Sequence, residues 1–334
     1  MKANAYGHGV VDVSRRLAKV GVEILATGSF ADASALREAG IDLPILMMGG
    51  TLPSGISDLF SLDLMPTVHN RELAEAASAA ASGARRRQVY IKVDCGLGRL
   101  GVALRDAKSF VLDVARMPGL EVAGLYTHLP FWDAGVRAWA IERMALFDQL
   151  IADLARDGLQ IPVTQVRASN GILARLTDHC TAVSPGALLY GMTGEAAGAR
   201  PVMRAIRSRL IHITPASSDR GPAYESRQAA KTTGPTGVVP FGRVDGNRRP
   251  VEGSGAYMLI GGQKAAILSV SLEHAVIDLS AIPDAVPGTE VVILGTSGEA
   301  RVSLHDIAHW QDWSTNDVVM ALNDRMPRLT EPVA

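Results

Sequence analysis

The clearest signal of the fold is the run Val89-Tyr90-Ile91-Lys92-Val93. It is followed at once by Asp94-Cys95-Gly96-Leu97-Gly98-Arg99-Leu100-Gly101. The run of β-branched and aromatic residues predicts a buried strand, and the glycines after it predict a loop. Charged residues stand at the end of the run and in the loop, which is where parallel α/β folds place their functional groups. The stretch therefore predicts one strand of a parallel sheet with chemistry at its carboxyl end.

Runs of the same kind recur up to about residue 200, separated by helical segments. The strand-like runs are 24–27, 45–48, 64–68, 122–126, 163–166 and 181–183, and the helical segments include 11–19, 31–39, 71–81 and 142–156. Strand and helix in alternation favour a parallel sheet, and about eight such units predict a (β/α)8 barrel of the TIM type over residues 1–200. The strand that should precede Lys2 is nearly absent, so the first strand of this barrel is predicted to be incomplete.

Residues 201–334 show a different sequence pattern. A Gly/Pro/Ser-rich stretch spans 215–235, and strand-like runs occur at 211–214, 237–240, 266–270, 275–279 and 291–294. Few long helical segments intervene, and a short one ends the region near 304–310. We therefore predict a mostly β C-terminal domain.

Bulk properties exclude several classes of protein. A chain of 334 residues suits two domains, and a net charge of −1 favours neither nucleic acid nor an anionic membrane as partner. No apolar run is long enough to cross a bilayer. Cys95 and Cys180 form neither a disulfide framework nor a metal motif, which fits a reducing compartment. These features predict a soluble cytoplasmic protein that holds no metal.

The run Lys2-Ala3-Asn4-Ala5-Tyr6-Gly7-His8-Gly9 opens the chain with a second group of polar residues. A lysine amine can condense with the aldehyde of pyridoxal phosphate, which allows an enzyme to ionise an amino acid at Cα. His128 and Asn170 likewise follow predicted strands. Taken singly, Lys2 would be an ordinary solvated residue, and His128 a satisfied histidine of the core or rim. Their shared position at strand ends favours a functional site.

Both runs resemble signatures of the alanine racemase family, the fold-type III pyridoxal-phosphate enzymes, and the resemblance extends over about residues 1–330. It implies a pyridoxal 5'-phosphate cofactor held by Lys2 and an isomerase that interconverts L- and D-alanine or another small amino acid. It also implies a homodimer whose active site is built from both subunits. In bacteria, such an enzyme would supply D-alanine for peptidoglycan.

The same resemblance assigns roles to individual residues. Arg99 matches the arginine that binds the substrate carboxylate, and Lys92 matches the carbamylated lysine that supports it. His128 matches a histidine directed toward the cofactor ring. Tyr224 stands at the family's spacing before Gly242-Arg243-Val244-Asp245-Gly246 and matches the catalytic tyrosine contributed by the second subunit. Racemisation needs a base on each face of Cα, and Lys2 and Tyr224 would supply the two.

The remaining positions are matched to the cofactor phosphate, the cofactor ring and the substrate. By resemblance, the cofactor contacts fall to Tyr6, Asn170, Gly171, Ser184, Gly186 and Ala187, and a substrate contact falls to Leu272. Backbone N–H groups of glycine-rich turns can cradle a phosphate even where a side chain is missing.

Five of these positions depart from the family pattern. Ser184 replaces an arginine facing the pyridine nitrogen, and Gly171 replaces a serine that binds the phosphate, unless the adjacent Ser169 substitutes for it. Arg243 replaces a tyrosine at the mouth of the site, Leu272-Glu273 replaces a Met-Asp pair, and Asp324 replaces a phosphate-binding tyrosine.

The departures leave two alternatives open. One is a pyridoxal-phosphate-binding homologue with little racemase activity. The other is a racemase for a different amino acid, since Arg243 would admit an acidic side chain. The family's cofactor lysine also lies further from the start of the chain than Lys2 does, which favours a start set too far downstream or a shortened N-terminus.

Overall fold

The computed structural model describes residues 1–81, 85–131, 134–193, 198, 200–218, 232–323 and 325–330. The chain forms two compact units, Met1–Arg200 and Pro201–Ala334. Each unit is built around its own apolar core.

The first unit is a parallel sheet with helices between its strands. The strands are β1 Leu25–Thr27, β2 Ile45–Met47, β3 Leu64–Val68, β4 Arg87–Asp94, β5 Val102–Ala103, β6 Leu120–Tyr126, β7 Val163–Ala168 and β8 Ala182–Ser184. The helices are α1 Lys2–Tyr6, α2 Val10–Lys19, α3 Phe30–Glu38, α4 Ile56–Ser61, α5 Arg71–Ala80, α6 Leu104–Arg116, α7 Ala134–Arg156, α8 Ser169–Leu173 and α9 Gly186–Leu189. Hydrogen-bonded neighbours run in the order β1-β2-β3-β4-β6-β7-β8, and β5 pairs with β4.

The core of this unit lies between the sheet and its helices. Ile91 and Val93 of β4 are fully buried with Val111 of α6 and Phe147 of α7. Burying each such side chain stabilises the fold by roughly 1.5–3 kcal/mol. Local signals set the helix starts: the side chain of Asn70 accepts the Leu73 N–H and begins α5. This alternation of parallel strands and packed helices confirms the predicted TIM-type architecture.

Strands β1 and β8 end the hydrogen-bonded path, and within the described ranges no strand joins them. The backbone nitrogen of Met1 donates to the Ala26 carbonyl oxygen at 2.6 Å, so Met1 lies beside β1.

The second unit is mostly β, as predicted. Its strands are β9 Ile206–Arg209, β10 His212–Thr214, β11 Thr236–Val239, β12 Tyr257–Ile260, β13 Gln263–Val270, β14 Ala275–Asp278, β15 Glu290–Ser297 and β16 Ala300–Val302, followed by α10 Leu304–Gln311 and α11 Thr315–Met320. The strands pair antiparallel in the order β10-β11-β14-β13-β12-β15-β16, and β9 pairs with β15. Across the described part of both units, no helix has the length and apolarity that crossing a membrane requires.

Candidate active site

The first site segment, Lys2–Tyr6, turns with a left-handed backbone. Ala3, Asn4, Ala5 and Tyr6 have φ angles of 54°, 52°, 54° and 54°. Each non-glycine residue in this conformation costs about 1–2 kcal/mol, so the turn persists only because its surroundings hold it. The Asn4 side-chain oxygen accepts the Val10 N–H at 2.7 Å, and the Asn4 N–H donates to Asp32 at 3.3 Å. Strain retained next to Lys2 indicates a functional segment.

Tyr6 brings this turn against the loop that follows β8. A Cβ at Gly186 would stand 2.5 Å from the Tyr6 hydroxyl oxygen, so the two residues are in close contact and a larger residue would displace the Tyr6 side chain. The Tyr6 ring lies 5.1 Å from the Tyr190 ring, and His8 stacks on Tyr190 with 4.6 Å between centroids. The Lys2 amine nitrogen lies 5.6 Å from the centre of the Tyr6 ring. The structure therefore brings Lys2, Tyr6 and Gly186 together.

Lys92 lies on β4 and is only 6% exposed. Its amine nitrogen stands 5.4 Å from the centre of the Tyr126 ring, and the Tyr126 hydroxyl pairs with the Thr67 hydroxyl at 2.9 Å. Burial, and then the nearby Arg99 guanidinium, lower the pKa of Lys92 to about 8. A neutral amine is thus accessible near physiological pH.

Three cations, Lys2, Lys92 and Arg99, share one electrostatic environment, which we term the cation cluster. Partial burial and then Arg99 lower the pKa of Lys2. Burial, followed by Arg99, Lys92 and Lys2, lowers the pKa of His128 to about 4, so this imidazole is neutral at physiological pH. Clustered cations favour binding of carboxylate or phosphate, and a lowered amine pKa favours a nucleophilic lysine. The cluster can therefore bind an anion and form a covalent bond through Lys2.

The loops after β7 and β8 carry the predicted phosphate contacts. Asn170 and Gly171 lie in α8, Asn170 exposed and Gly171 buried. A Cβ at Gly171 would meet Phe131 at 3.2 Å and the Arg167 side chain at 3.3 Å, so the space of the family's serine is already occupied.

Ser169, the proposed substitute for that serine, is engaged elsewhere. Its hydroxyl oxygen accepts the Leu188 N–H at 3.0 Å and so ties α8 to α9. Ser184 ends β8, in register with Ala168, and Gly186 and Ala187 begin α9. The structure thus gives Ser169 a role in holding the two loops together.

The second unit holds Leu272, Arg243 and Glu273. Leu272 is 60% exposed, and its carbonyl oxygen accepts the Val244 N–H at 2.9 Å. Arg325 pairs with Asp245 at 2.6 Å and with Glu273 at 3.2 Å. Two of the departures therefore lie on abutting loops. Tyr224 and Asp324 lie outside the described residues.

His69 is a site residue that the sequence did not single out. It directly follows β3, and burial lowers its pKa while the neighbouring Lys92 lowers it further. A Cβ at Gly50 would stand 3.7 Å from the His69 Nε2 atom and would also contact the Leu100 side chain. A histidine after a buried strand is the same signal that identified His128, so its position in the sequence would have indicated it.

Comparison with known proteins gives matches over nearly the whole chain. The family model described as alanine racemase, N-terminal domain, matches residues 1–194, and that of the C-terminal domain matches residues 202–330. The chain is 33% identical to an alanine racemase of Sorangium cellulosum, covering 98% of this chain and 89% of that one. It is 31% identical to an alanine racemase of Halothermothrix orenii, covering 98% and 88%. The solved alanine racemase of Streptomyces coelicolor superposes with a TM-score of 0.87 at 25% identity, covering 98% of this chain and 89% of that one.

Proposed function

Because the chain belongs to the alanine racemase family, we propose that it is a pyridoxal-phosphate-dependent racemase that interconverts L- and D-alanine. The observation that supports this most strongly is the partly buried Lys2 amine, which shares its electrostatic environment with Arg99 and has a pKa below its ordinary range. An amine in this state is a competent nucleophile toward an aldehyde.

The residues present fit the cofactor. The cation cluster matches the negative charge of a phosphate and of a substrate carboxylate. The Tyr6 hydroxyl lies against Gly186, where a Cβ would stand 2.5 Å from it, so that hydroxyl and the Gly186 backbone lie side by side. Pyridoxal 5'-phosphate supplies an electron-withdrawing group that stabilises negative charge at Cα.

Two residues would move the proton. The Lys2 amine would hold the cofactor and, once free in the presence of substrate, would act as the base on one face of Cα. Tyr224 of a second copy would act on the opposite face, since one base alone returns the proton to the side it left. A phenol with a pKa near 10 is a weak base at neutral pH, so cationic neighbours such as Arg99 would assist it.

Arg99 would bind the substrate carboxylate through its planar guanidinium. Lys92 would support Arg99 as a carbamate, formed when the neutral amine adds carbon dioxide and loses a proton. The lowered pKa of Lys92 favours this step, because only the uncharged amine reacts. The neutral His128 would face the cofactor ring without adding a fourth positive charge to the cation cluster.

The remaining contacts are also part of the proposal. Tyr6, with the backbone of Gly171, Gly186 and Ala187, would hold the phosphate, and Asn170 would stand beside it. Ser184 would face the pyridine nitrogen as a neutral group. Leu272 would contact the substrate from the partner subunit of a homodimer. Residues 1–200 would form the cofactor domain and residues 201–334 the domain that completes a second subunit's site.

The two alternatives are not favoured, because relatives matching 98% of the chain are alanine racemases. We further propose that the enzyme works in the cytoplasm and supplies D-alanine for peptidoglycan.

The test is racemisation by the purified protein with added pyridoxal 5'-phosphate. L-alanine should yield D-alanine, and the protein should show the visible absorbance of a lysine-linked cofactor. Lys2→Ala should lose both signals, whereas Lys19→Ala, a matched exposed lysine at the end of α2, should keep both. Tyr224→Phe should keep the absorbance and slow proton exchange preferentially from one enantiomer. Racemisation of serine or glutamate in place of alanine would contradict the proposal.

A further inference from the structure

The loop that carries Arg99 leaves β4 and returns to the same strand. It spans Cys95–Gly101, and β5 then pairs with β4 through Val93 and Asp94. At the point of return, Gly101 has φ 139°, and a Cβ there would stand 2.5 Å from the Asp94 backbone nitrogen. Only glycine allows this close approach. The two ends of the loop are therefore fixed on Asp94 and its neighbour.

The Asp94 carboxylate occupies the inside of this loop. One oxygen accepts the N–H groups of Gly96 at 2.9 Å and Gly98 at 3.2 Å, and the other accepts the Gly98 N–H at 3.0 Å. Hydrogen bonds to an ionised carboxylate are the stronger kind, so the side chain holds two successive turns of the loop. Both oxygens are engaged, which makes Asp94 a structural acceptor.

Trp139 of α7 packs against the loop at Gly96. A Cβ at Gly96 would stand 2.9 Å from the indole ring, and Gly96 and Gly98 have φ angles of 117° and 71°. The contacts with the carboxylate and with the indole together leave the backbone little freedom. Arg99 directly follows Gly98, so the same contacts restrict its backbone position.

Charge supports the same role. Asp94 raises the pKa of Lys92, opposing Arg99 and Lys2, which lower it. The carboxylate therefore lies close enough to the cation cluster to offset part of its mutual repulsion.

We propose that Asp94 is a positioning residue for Arg99: its carboxylate fixes the Gly96–Gly98 backbone and thereby aims the guanidinium at the substrate carboxylate. The second half of this inference rests on the proposed function, which gives Arg99 its substrate. Asp94 itself contacts neither substrate nor cofactor in this assignment.

The first experiment compares Asp94→Asn with Asp58→Asn, an exposed control on α4. An amide keeps one acceptor oxygen and loses the other. We expect the KM for alanine to rise roughly tenfold and kcat to fall by less, since the main contact weakened is the one that Arg99 makes with the carboxylate in both ground and transition state. Hydrogen exchange of the Gly96 and Gly98 amides should accelerate in Asp94→Asn alone, a readout that needs no activity.

A second pair of variants perturbs the loop while keeping Asp94. Gly98 and Gly40 have φ angles of 71° and 73°, and a Cβ at either would meet no atom within 4 Å. Gly98→Ala and Gly40→Ala therefore impose the same backbone strain, near the site and far from it. Gly98→Ala should raise the KM for alanine, and Gly40→Ala should leave it unchanged.

The outcomes separate this inference from the proposed function. Faster exchange together with a raised KM supports it. Faster exchange with KM unchanged in both Asp94→Asn and Gly98→Ala overturns it, as does unchanged exchange in Asp94→Asn. If the wild-type protein makes no D-alanine, the proposed function fails, and the exchange rates alone decide whether Asp94 holds the loop.

Discussion

Two segments carry the reactive cations, and they reach unusual backbone conformations by opposite means. The turn Ala3–Tyr6 places four non-glycine residues at φ near 53°, whereas the loop Cys95–Gly101 uses Gly96, Gly98 and Gly101. Glycine adopts positive φ without steric cost, so the loop needs only one carboxylate to select its conformation. The turn is sterically strained and depends on contacts from outside, through Asn4 and His8.

This difference predicts which property of the protein a mutation in each segment should change. The loop should respond mainly in substrate binding, because its backbone is unstrained and the proposed function gives Arg99 the substrate carboxylate as its partner. The turn should respond in stability and in cofactor binding, because its surroundings offset the strain next to Lys2. The following predictions test that contrast.

The largest expected effect is at the tip of the loop. Arg99→Ala should lower kcat/KM for alanine by roughly a hundredfold or more, because losing a charged contact to a carboxylate costs on the order of 2–5 kcal/mol. Arg105→Ala, whose side chain is 86% exposed at the start of α6, is the control and should stay near wild type. An Arg99→Ala enzyme with wild-type kcat/KM would show that the loop does not contribute to substrate binding.

His128 is influenced by both segments, since Arg99 and Lys2 both lower its pKa, to about 4 from 6.5. Between pH 6.5 and 4, the unfolded chain binds a proton that the folded chain excludes, so the free energy of unfolding should fall as pH falls through this window. His128→Asn removes this dependence. Near pH 4, its free energy of unfolding should therefore exceed that of the wild type by on the order of 1–3 kcal/mol. Denaturant unfolding of both cofactor-free proteins across the window measures it, and parallel curves would contradict the prediction.

The side-chain anchor of the turn can be tested against a matched cap elsewhere. Asn4 and Asn70 each accept one helix-start N–H, from Val10 at 2.7 Å and from Leu73 at 2.8 Å. Each change to alanine should cost about 1 kcal/mol of stability. Only Asn4→Ala should also weaken cofactor binding, measured by titration of the visible absorbance. Equal cofactor affinity in the two variants would show that the turn does not depend on Asn4.

The smallest expected effect is a change in stability, and its sign tests whether the turn is strained. Ala3→Gly removes a steric penalty and should stabilise the protein by up to about 1 kcal/mol. Ala35→Gly, inside α3, should destabilise it by about 0.5–1 kcal/mol, because glycine there only loses backbone entropy. Thermal unfolding of both variants gives the signs. Destabilisation by Ala3→Gly would mean that the turn is not strained.

Much of the first unit could be predicted because its strands are short apolar runs with polar residues at their ends. Runs such as 64–68 match β3 to the residue. In the second unit, β9 has the sequence Ile206-Arg207-Ser208-Arg209, in which three of the four residues are charged or polar, so the search for apolar runs did not predict it. Its pairing with β15 comes from distant sequence, which local pattern does not encode.

The site was predictable in its residue types and much less so in its geometry. Lys92, Arg99 and His128 were expected together, and they share one electrostatic environment. Nothing in Ala3-Asn4-Ala5 favours a left-handed turn except the asparagine, because tertiary contacts impose that conformation. The engagement of Ser169 with Leu188 likewise depends on two loops meeting in space.

The central claim is that the Lys2 amine is the covalent anchor of the cofactor. Reduction of the pyridoxal-phosphate-loaded protein with borohydride, followed by peptide mass mapping, tests it directly. We expect the cofactor mass on the peptide containing Lys2 and on no other. Label on Lys92 or on another lysine, with Lys2 unmodified, would contradict it.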